Sequence, residues 1–304
     1  MRWQKLGRIF DPTALDGFGL NSALMPSAEV INESLGTVRV YFSPRDQWNR
    51  SEVRSFDFSV FSPEKILKIS NRALLSRGKL GTFDDSGVTL GSIVNTDDEK
   101  LLFYTGWNRT LTVPFNNSIG VAEFSSDGLL VRRGDGPIMT RTLFEPYSCA
   151  SPFVLRESGI FKMWYASMDR WQEMAGRKPV HHYNIKFAQS SDGIIWERDG
   201  HVSIDYAEPA EYAFGRPFVL HEDGIYKMWY SFRGDRYRIG YAESCDGKNW
   251  ERLDQLAGIN RSLRGWDSEM IEYPFIFDCA GSRFMLYNGN GYGRSGIGLA
   301  KCID

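Results

Sequence analysis

The stretch ASPFVLRESGIFKMWYASMDR at residues 150–170 returns, little changed, as GRPFVLHEDGIYKMWYSFRGD at residues 215–235. Each copy reads Pro-Phe-Val-Leu, a short polar turn, and an aromatic run that ends in Lys-Met-Trp-Tyr. Aromatic and β-branched residues on both sides of a turn predict a β-hairpin. The repeat therefore indicates a fold assembled from copies of one small antiparallel unit.

A second hairpin follows each first one. It reads IKFAQSSDGIIWERDG at residues 185–200 and IGYAESCDGKNWERLD at residues 239–254. The Asp-Gly dipeptide suits a tight hairpin turn, because glycine accepts the positive φ that such a turn needs. Each unit thus has four antiparallel strands. The tryptophans at repeat positions are predicted to be packing residues of these units, and they are Trp164, Trp196, Trp229 and Trp250.

Weaker copies at residues 25–65, 90–136 and 272–304 bring the number of units to five. Four-stranded units repeated around an axis are the blades of a β-propeller. RWQKLG at residues 2–7 resembles the last strand of another unit, NWERLD at residues 249–254. We therefore predict an all-β, five-bladed propeller, one domain over residues 1–304, whose ring closes when the N-terminal strand completes the last blade. An antiparallel sandwich is the alternative.

Composition excludes several classes of protein. Lys plus Arg is 36 and Asp plus Glu is 38, so a net charge of −2 argues against a nucleic-acid or membrane-surface partner. No apolar run approaches the roughly 18 residues that span a membrane, and the first residues lack a signal-peptide pattern. Four widely spaced cysteines without a CxxC pair indicate free thiols rather than a zinc site. We expect a cytoplasmic protein without a metal or other cofactor.

Propeller topology places the loop that enters the first strand and the end of the second strand on one face. In this sequence those segments are rich in carboxylates, arginines and aromatic residues. Glycoside hydrolysis needs two opposed carboxyl groups, one protonated and one ionised. Aromatic rings stack on sugars, and guanidinium groups bind hydroxyls or anions. This face is the predicted functional site.

The Ser-x-Asp-Gly-x-x-Trp turns and Lys-Met-Trp-Tyr strands resemble those of the five-bladed propeller glycosidases, the superfamily of glycoside hydrolase families 43, 32, 68 and 130. The resemblance covers essentially the whole chain and implies catalytic carboxylates at the axial ends of inner strands. Glu272-Tyr273-Pro274 resembles the Glu-x-Pro context of a family 43 acid, and Arg45-Asp46 resembles contacts of family 130. Residues 23–26, Ala-Leu-Met-Pro, lack the aspartate that families 43 and 32 place on the first inner strand.

Three acids are candidate catalytic residues. Glu272 is the predicted general acid, because its apolar neighbours Ile271, Tyr273 and Phe275 would raise the pKa of a carboxyl group. Asp85 is its predicted partner, as a base or as a stabilising charge. Glu145 ranks third.

Further residues of the same rim are predicted to bind substrate. Arg216 directly precedes an inner-strand proline, so it points along the axis or pairs with a buried acid. Several arginines on one rim predict an anionic group on the ligand, such as a phosphate or a uronic acid. The predicted binding residues are Arg45, Asp46, Trp107, Arg109, Tyr147, Asp169, Arg170, His182, Arg216, Arg233, Glu269 and Asn288. His181 and His182 are expected to lie in a loop of the third unit, where either could ligate a metal or contact a substrate.

Three functions follow from these residues. The first is an inverting glycoside hydrolase acting on an oligosaccharide or glycoside, with two carboxyls about 6.5–9.5 Å apart. The second is a glycoside phosphorylase or glycosyl-transferring enzyme, in which the arginines hold phosphate and one acid protonates the leaving oxygen. The third is a propeller that binds sugar without cleaving it, which the missing aspartate in residues 23–26 favours.

Overall fold

The computed structural model describes residues 1–303, which form β-strands, connecting loops and two short 3-10 turns, Pro12–Phe18 and Asp254–Leu256. The strands form antiparallel groups of four, named here units one to five. Unit one contains β2 (Leu20–Asn32), β3 (Thr37–Asp46), β4 (Arg54–Ser59) and β5 (Ser62–Ile69). Unit two contains β6 (Gly87–Asn95), β7 (Lys100–Arg109), β8 (Phe115–Phe124) and β9 (Leu130–Arg132).

The other three units repeat this order. Unit three contains β10 (Cys149–Glu157), β11 (Ile160–Met174), β12 (Arg177–Ser190) and β13 (Val202–Ile204). Unit four contains β14 (Ala213–Glu222), β15 (Ile225–Arg233), β16 (Tyr237–Ser244) and β17 (Glu251–Arg252). Unit five contains β18 (Glu272–Cys279), β19 (Ser282–Asn288), β20 (Ile297–Cys302) and, from the N-terminus, β1 (Trp3–Phe10). A single parallel bridge, Tyr183 to Ala213, joins units three and four.

The N-terminal strand completes unit five, as the repeat predicts. β1 pairs antiparallel with β20, from Trp3 opposite Cys302 to Phe10 opposite Ile297. The first strand of each unit, called here the inner strand, contacts the inner strand of the next unit, and β18 contacts β2. The ends of the chain thus share one sheet beside the first unit.

Each inner strand is interrupted at the same place. The pairing register shifts between Leu24 and Ser27, Leu90 and Ser92, Ala150 and Phe153, Gly215 and Phe218, and Glu272 and Phe275. In four units the residue before a proline adopts a left-handed φ between 50° and 58°, and these residues are Met25, Ser151, Arg216 and Tyr273. Proline lacks an N–H, so an inner edge strand with a bulge accommodates it.

Near four of these bulges, a backbone N–H of the inner strand donates a hydrogen bond to a side chain on the second strand of the preceding unit. Leu90 donates its backbone N–H to Ser43 Oγ at 2.8 Å, and Ser151 donates to Thr105 Oγ1 at 2.8 Å. Tyr273 N donates to Ser231 Oγ at 2.7 Å. The same bond links unit five to unit one, where Met25 N donates to Asn288 Oδ1 at 3.0 Å.

The repeated tryptophans pack between units, which confirms the sequence prediction. Trp164 is buried and donates from Nε1 to Gly247 O at 2.7 Å, in the Asp-Gly turn of the following unit. Trp250 meets Trp164 edge-on at 6.1 Å, and Trp196 meets Phe103 at 5.8 Å. Between residues 1 and 303, no helix is long and apolar enough to cross a membrane.

Candidate active site

A cavity of about 320 Å³ opens where the inner strands of all five units meet second strands of units one to three and third strands of units two to four. This is the face that the topology predicts. Its polar lining consists of Arg45, Asn49, Thr89, Thr105, Asn117 and Ser151. Its aromatic lining consists of Trp107, Phe115, His181, Tyr183, Phe214, Tyr237, Tyr273 and Tyr292. Within residues 1–303, no carboxylate forms part of this lining.

Glu272 lies directly behind the wall of this cavity. It begins the inner strand β18, its exposed fraction is 0%, and neither carboxylate oxygen has a hydrogen-bond partner within residues 1–303. Burial raises the pKa of this carboxyl well above its usual range, and the opposing influence of Tyr273, Arg233 and Arg45 is smaller. Burial therefore favours the protonated, neutral form of Glu272, which is the form able to donate a proton.

The neighbours of Glu272 are cavity residues. Besides burial, the proximity of Glu272 raises the pKa of the phenols of Tyr237, Tyr273 and Tyr292, because ionising both groups would bring two negative charges together, and all three phenols line the cavity. Tyr292 is 38% exposed and belongs to the glycine-rich segment 289–296, outside the strands. Glu272 itself does not reach the cavity surface in this structure.

His181 supplies a second titratable group to the cavity. Its ring packs against Phe115, with centroids 5.6 Å apart, and against Tyr183 at 5.0 Å. Burial lowers the pKa of His181 to about 4, and the positive charge of Arg233 acts in the same direction. The imidazole is therefore neutral near pH 7 and can accept a proton.

Two of the predicted binding residues reach the cavity lining. Arg45 ends β3 and donates from Nη1 to Asn49 Oδ1 at 3.1 Å. Trp107 near the end of β7 donates from Nε1 to Ser51 Oγ at 3.0 Å and presents its ring to the cavity. Arg233 ends β15 behind the lining, where it donates to the hydroxyl of Tyr292.

Asp85 does not line the cavity. Its carboxylate accepts hydrogen bonds from Asn108 Nδ2 at 2.8 Å, Ser86 Oγ at 3.0 Å and Gly81 N at 3.1 Å. Partial burial raises the pKa of Asp85, but these hydrogen bonds outweigh it and the net shift is downward. Asp85 is an ionised turn residue here, and the structure does not bring it to Glu272 as a partner.

Glu145 is also held away from the cavity. It is buried in unit three, where it forms ion pairs with Arg198 at 3.0 Å and Lys186 at 3.3 Å. It also accepts from Ser167 Oγ at 2.7 Å and from the hydroxyl of Tyr165 at 3.0 Å. With every oxygen occupied by structural partners, Glu145 ties its loop to the sheet.

Glu145 belongs to a contact that recurs in other units. An acid ahead of the inner strand accepts from a second-strand tyrosine and pairs with a base of the last strand. In unit two these are Asp84, Tyr104 and Arg132. In unit five they are Asp267, Tyr287 and Lys5. The repeated position of these acids is a sequence signal for a structural role.

Arg216 does not face a ligand either. From β14 it reaches across the axis, and its guanidinium donates to Pro26 O at 2.8 Å, Ser27 Oγ at 2.6 Å and the carbonyl of Gly91. It is 1% exposed, and burial lowers its pKa to about 9. Its left-handed backbone aims the side chain at the inner strands of units one and two. Arg216 therefore holds three units together.

Asn288 has a similar structural function. Besides accepting from Met25, it donates from Nδ2 to Ala23 O at 2.6 Å and to Gly296 O at 2.8 Å. It is fully buried. These three bonds use its amide completely and join unit five to unit one.

The remaining predicted binding residues lie outside the cavity lining. Asp46 pairs with Arg50 at 2.7 Å, and Arg109 donates to the carbonyl of Trp48. Asp169 pairs with Arg170 at 3.0 Å, and Arg170 also contacts His182. Glu269 and Tyr147 are exposed to solvent. Most of these charged rim residues are thus bound to a neighbouring residue rather than directed at the cavity.

Sequence reasoning missed several lining residues. Tyr273 carried an available signal, since it stands between Glu272 and a proline at the bulge position. Tyr183 and Tyr237 lie on third strands. Side chains of a strand alternate between the two faces of a sheet, and that pattern could have identified both residues. Tyr292 had no such signal, because it lies in a loop whose path depends on tertiary packing.

Comparisons with known proteins come from sequence and from structure. No family model matches the chain. The uncharacterized protein Rv1502 of Mycobacterium tuberculosis is 43% identical over 300 residues, which is 99% of each chain. The solved complex of BT0996 with RGII superposes with a TM-score of 0.76 at 15% identity, covering 99% of this protein and 92% of that one. A thermostable family-43 glycoside hydrolase gives a TM-score of 0.67 at 14% identity, covering 93% and 89%. The predicted resemblance to propeller glycosidases is confirmed at the level of the fold.

Proposed function

We propose that this chain, which belongs to the same family as Mycobacterium tuberculosis Rv1502 and has a fold like that of the propeller glycosidases, is a carbohydrate-active enzyme that cleaves a glycosidic bond. The observation that carries the proposal is Glu272, a buried carboxyl group that lies directly behind the cavity wall and has no hydrogen-bond partner within residues 1–303. We further propose that the five units are the blades of one closed propeller. The bond between Met25 and Asn288 and the contact of β18 with β2 support that closure.

Glu272 acts as the general acid. Glycosidic oxygen is a poor leaving group, so its departure from the sugar requires a proton from a carboxyl that is still protonated near neutral pH. Burial raises the pKa of Glu272 and so favours the protonated carboxyl that this step requires. The surrounding tyrosines exclude water, so the proton is kept for the leaving group.

His181 acts as the general base in place of the second carboxylate. It is neutral near pH 7 and lines the same cavity, whereas Asp85 and Glu145 do not. In the proposed step the bond between the anomeric carbon and the leaving oxygen breaks, and that oxygen takes the proton of Glu272. A water oxygen bonds to the anomeric carbon and gives its proton to His181.

The aromatic lining supports a sugar as the substrate. Trp107, Phe115 and Phe214 offer ring faces, and Asn49 and Asn117 offer amides for hydroxyl groups. Sugars present alternating apolar and hydroxyl surfaces that such a lining fits. A cavity of about 320 Å³ has room for one or two sugar residues.

Turnover of a defined oligosaccharide panel tests the function, with reducing ends measured for the wild-type protein and the Glu272→Gln variant. Removing a general acid lowers kcat by about 10²–10⁴-fold. Glu208→Gln, an exposed carboxylate outside the cavity, is the matched control and keeps wild-type turnover. Equal turnover by Glu272→Gln and wild type would remove the assignment.

A second candidate function is sugar binding without cleavage. It is favoured by residues 23–26, which bring no acid to the first inner strand, and by the cavity lining, which holds no carboxylate within residues 1–303. Oligosaccharide binding measured by calorimetry, combined with no turnover across the panel, selects this function instead.

A further inference from the structure

Two arginines beside the cavity differ from the other partly buried arginines of the protein. The fully buried Arg216 donates to backbone carbonyls and to Ser27 Oγ instead. Each of the remaining ones pairs with a carboxylate, and they are Arg39, Arg50, Arg54, Arg132, Arg198, Arg252 and Arg283. Across residues 1–303, Arg45 and Arg233 have no carboxylate within 4.0 Å. An unpaired, partly buried cation is costly, so a site that retains two of them is suited to an incoming anion.

Arg45 has spare capacity to donate hydrogen bonds. One of its Nη atoms donates to Asn49, but its buried Nε has no partner within the described residues. Burial lowers the pKa of Arg45, the direction expected for a cation held without a counterion. Its side chain lines the cavity, so a ligand there meets a partly desolvated guanidinium.

Arg233, which also lacks a carboxylate partner within residues 1–303, is packed against aromatic rings. Its guanidinium carbon lies 5.2 Å from the centroid of Tyr212 and 5.5 Å from that of Tyr237. It donates to the hydroxyl of Tyr292, while its buried Nε has no partner within residues 1–303. Ring faces stabilise and orient the cation without neutralising its charge.

Glu272 does not serve as the missing counterion. Both arginines act on it electrostatically, but neither forms an ion pair with it. Its carboxyl is fully buried and has no hydrogen-bond partner in the described chain. The immediate surroundings therefore hold two guanidinium groups, three phenols and one acid whose neutral form is favoured by burial.

We propose that Arg45 and Arg233 form an oxyanion-binding site beside Glu272, which takes a phosphate, sulfate or carboxylate group of the ligand. The proposal rests on the glycoside-cleaving function for its use, though not for anion binding itself. The anion comes from one of two sources, inorganic phosphate as a co-substrate or a charged group on the sugar. Guanidinium groups suit both, because their planar donors match oxyanion geometry.

With inorganic phosphate as the source, the reaction is phosphorolysis. A phosphate oxygen bonds to the anomeric carbon, the bond from that carbon to the leaving oxygen breaks, and Glu272 gives its proton to the leaving oxygen. The products are a sugar 1-phosphate and the shortened glycan. No second carboxylate is required, since phosphate itself is the nucleophile. With an acidic sugar as the source, water attacks the anomeric carbon instead, and the arginines bind the charged group of the sugar and position it.

Calorimetric titration with inorganic phosphate and with glucuronate, at constant ionic strength, tests the anion site directly. The wild-type protein binds at least one of the two, and Arg45→Met and Arg233→Met each weaken that binding tenfold or more. Arg236→Met, an exposed arginine of the neighbouring turn, stays within twofold of the wild type. Arg45→Lys restores part of the binding, which shows that a loss in Arg45→Met does not come from misfolding.

Product analysis then separates the two sources. Neutral and acidic oligosaccharides are incubated with and without phosphate, and sugar 1-phosphate and free reducing sugar are measured. Sugar 1-phosphate formed only with phosphate identifies the co-substrate, and cleavage confined to acidic glycans identifies a charged sugar. Anion binding without turnover would sink the proposed function and leave the anion site standing. Wild-type binding of neither probe, or unchanged binding in both methionine variants, overturns the anion site whatever the turnover.

Discussion

His181 and His182 are consecutive residues of β12, and their side chains have different surroundings. His181 lines the cavity with Phe115, whereas His182 lies between Arg170 Nη2 at 3.0 Å and Gln172 Oε1 at 2.9 Å. The two belong to a strand rather than a loop, so their side chains point to opposite faces. His182 is the residue that the sequence predicted for binding, and the structure gives the cavity position to its neighbour.

Substitution of the two histidines should separate their roles. His181→Asn removes the proposed base and lowers kcat by about 10²-fold or more. His182→Asn changes only contacts with Arg170 and Gln172, so kcat stays within a few-fold of the wild type. Single-turnover kinetics on the best substrate of the panel measures both. A larger loss in His182→Asn than in His181→Asn contradicts the assignment.

The stability of the protein should also depend on His181. Its pKa is about 4 in the folded chain, against 6.5 for an ordinary histidine. As the pH falls below 6.5, the unfolded chain binds a proton at this imidazole before the folded chain does, so the free energy of unfolding decreases until about pH 4. Urea unfolding at pH 7 and pH 5 should show a smaller difference for His181→Asn than for the wild type. An unchanged difference means that other groups, His182 among them, account for the slope.

Two of the three sequence-predicted catalytic acids, Asp85 and Glu272, should respond differently to amide substitution. Asp85→Asn leaves an amide with the same shape among Asn108, Ser86 and Gly81, outside the cavity lining, so turnover persists. Glu272→Gln removes the proton that the leaving group needs. Parallel kcat measurements decide the matter, and a loss in Asp85→Asn as large as that in Glu272→Gln would restore the paired-carboxylate mechanism.

The sheets could be predicted well from the sequence because its repeat is local. Pro-Phe-Val-Leu and Lys-Met-Trp-Tyr mark inner and second strands, and the pairing of Trp3 with Cys302 follows from the likeness of residues 2–7 to residues 249–254. The strand signals depend on neighbours within one hairpin, whereas the pairing of the two chain ends depends on the repeat itself. The register within a hairpin is set by its turn and its alternating pattern.

The site was harder to predict because its chemistry depends on contacts between units. Glu145, Arg216 and Asn288 are polar residues near the axis, as ligand-binding residues would be, yet each is fully used by structural partners. Sequence spacing cannot show whether a charge is already paired. For Glu145 the recurring acid in other units offered a clue, whereas the reach of Arg216 across the axis depends on packing alone.

Arg216 should contribute strongly to stability. Arg216→Met keeps most of the side-chain volume but leaves the carbonyls of Pro26 and Gly91 without their donor. Each unsatisfied buried group costs about 1–3 kcal/mol, so a loss of roughly 3 kcal/mol in the free energy of unfolding is expected. Arg238→Met, on the exposed surface, serves as the control in the same denaturant series. A loss below about 1 kcal/mol would mean that water replaces the guanidinium at low cost.

Asn288 offers a test of how the first and last units are joined. Asn288→Ala removes the acceptor for the half-buried Met25 N–H and the donor to the buried carbonyls of Ala23 and Gly296. We expect a loss of about 2–4 kcal/mol in the free energy of unfolding, because three backbone groups lose their partner at once. Asn249→Ala, in an exposed turn, should cost less than about 1 kcal/mol.

Hydrogen exchange adds a local readout for Asn288. The amide of Met25 should exchange faster in Asn288→Ala, while that of Ser151, bound to Thr105 at another junction, keeps its protection. Equal acceleration at both amides would instead indicate global unfolding and argue against a local bond between the two units.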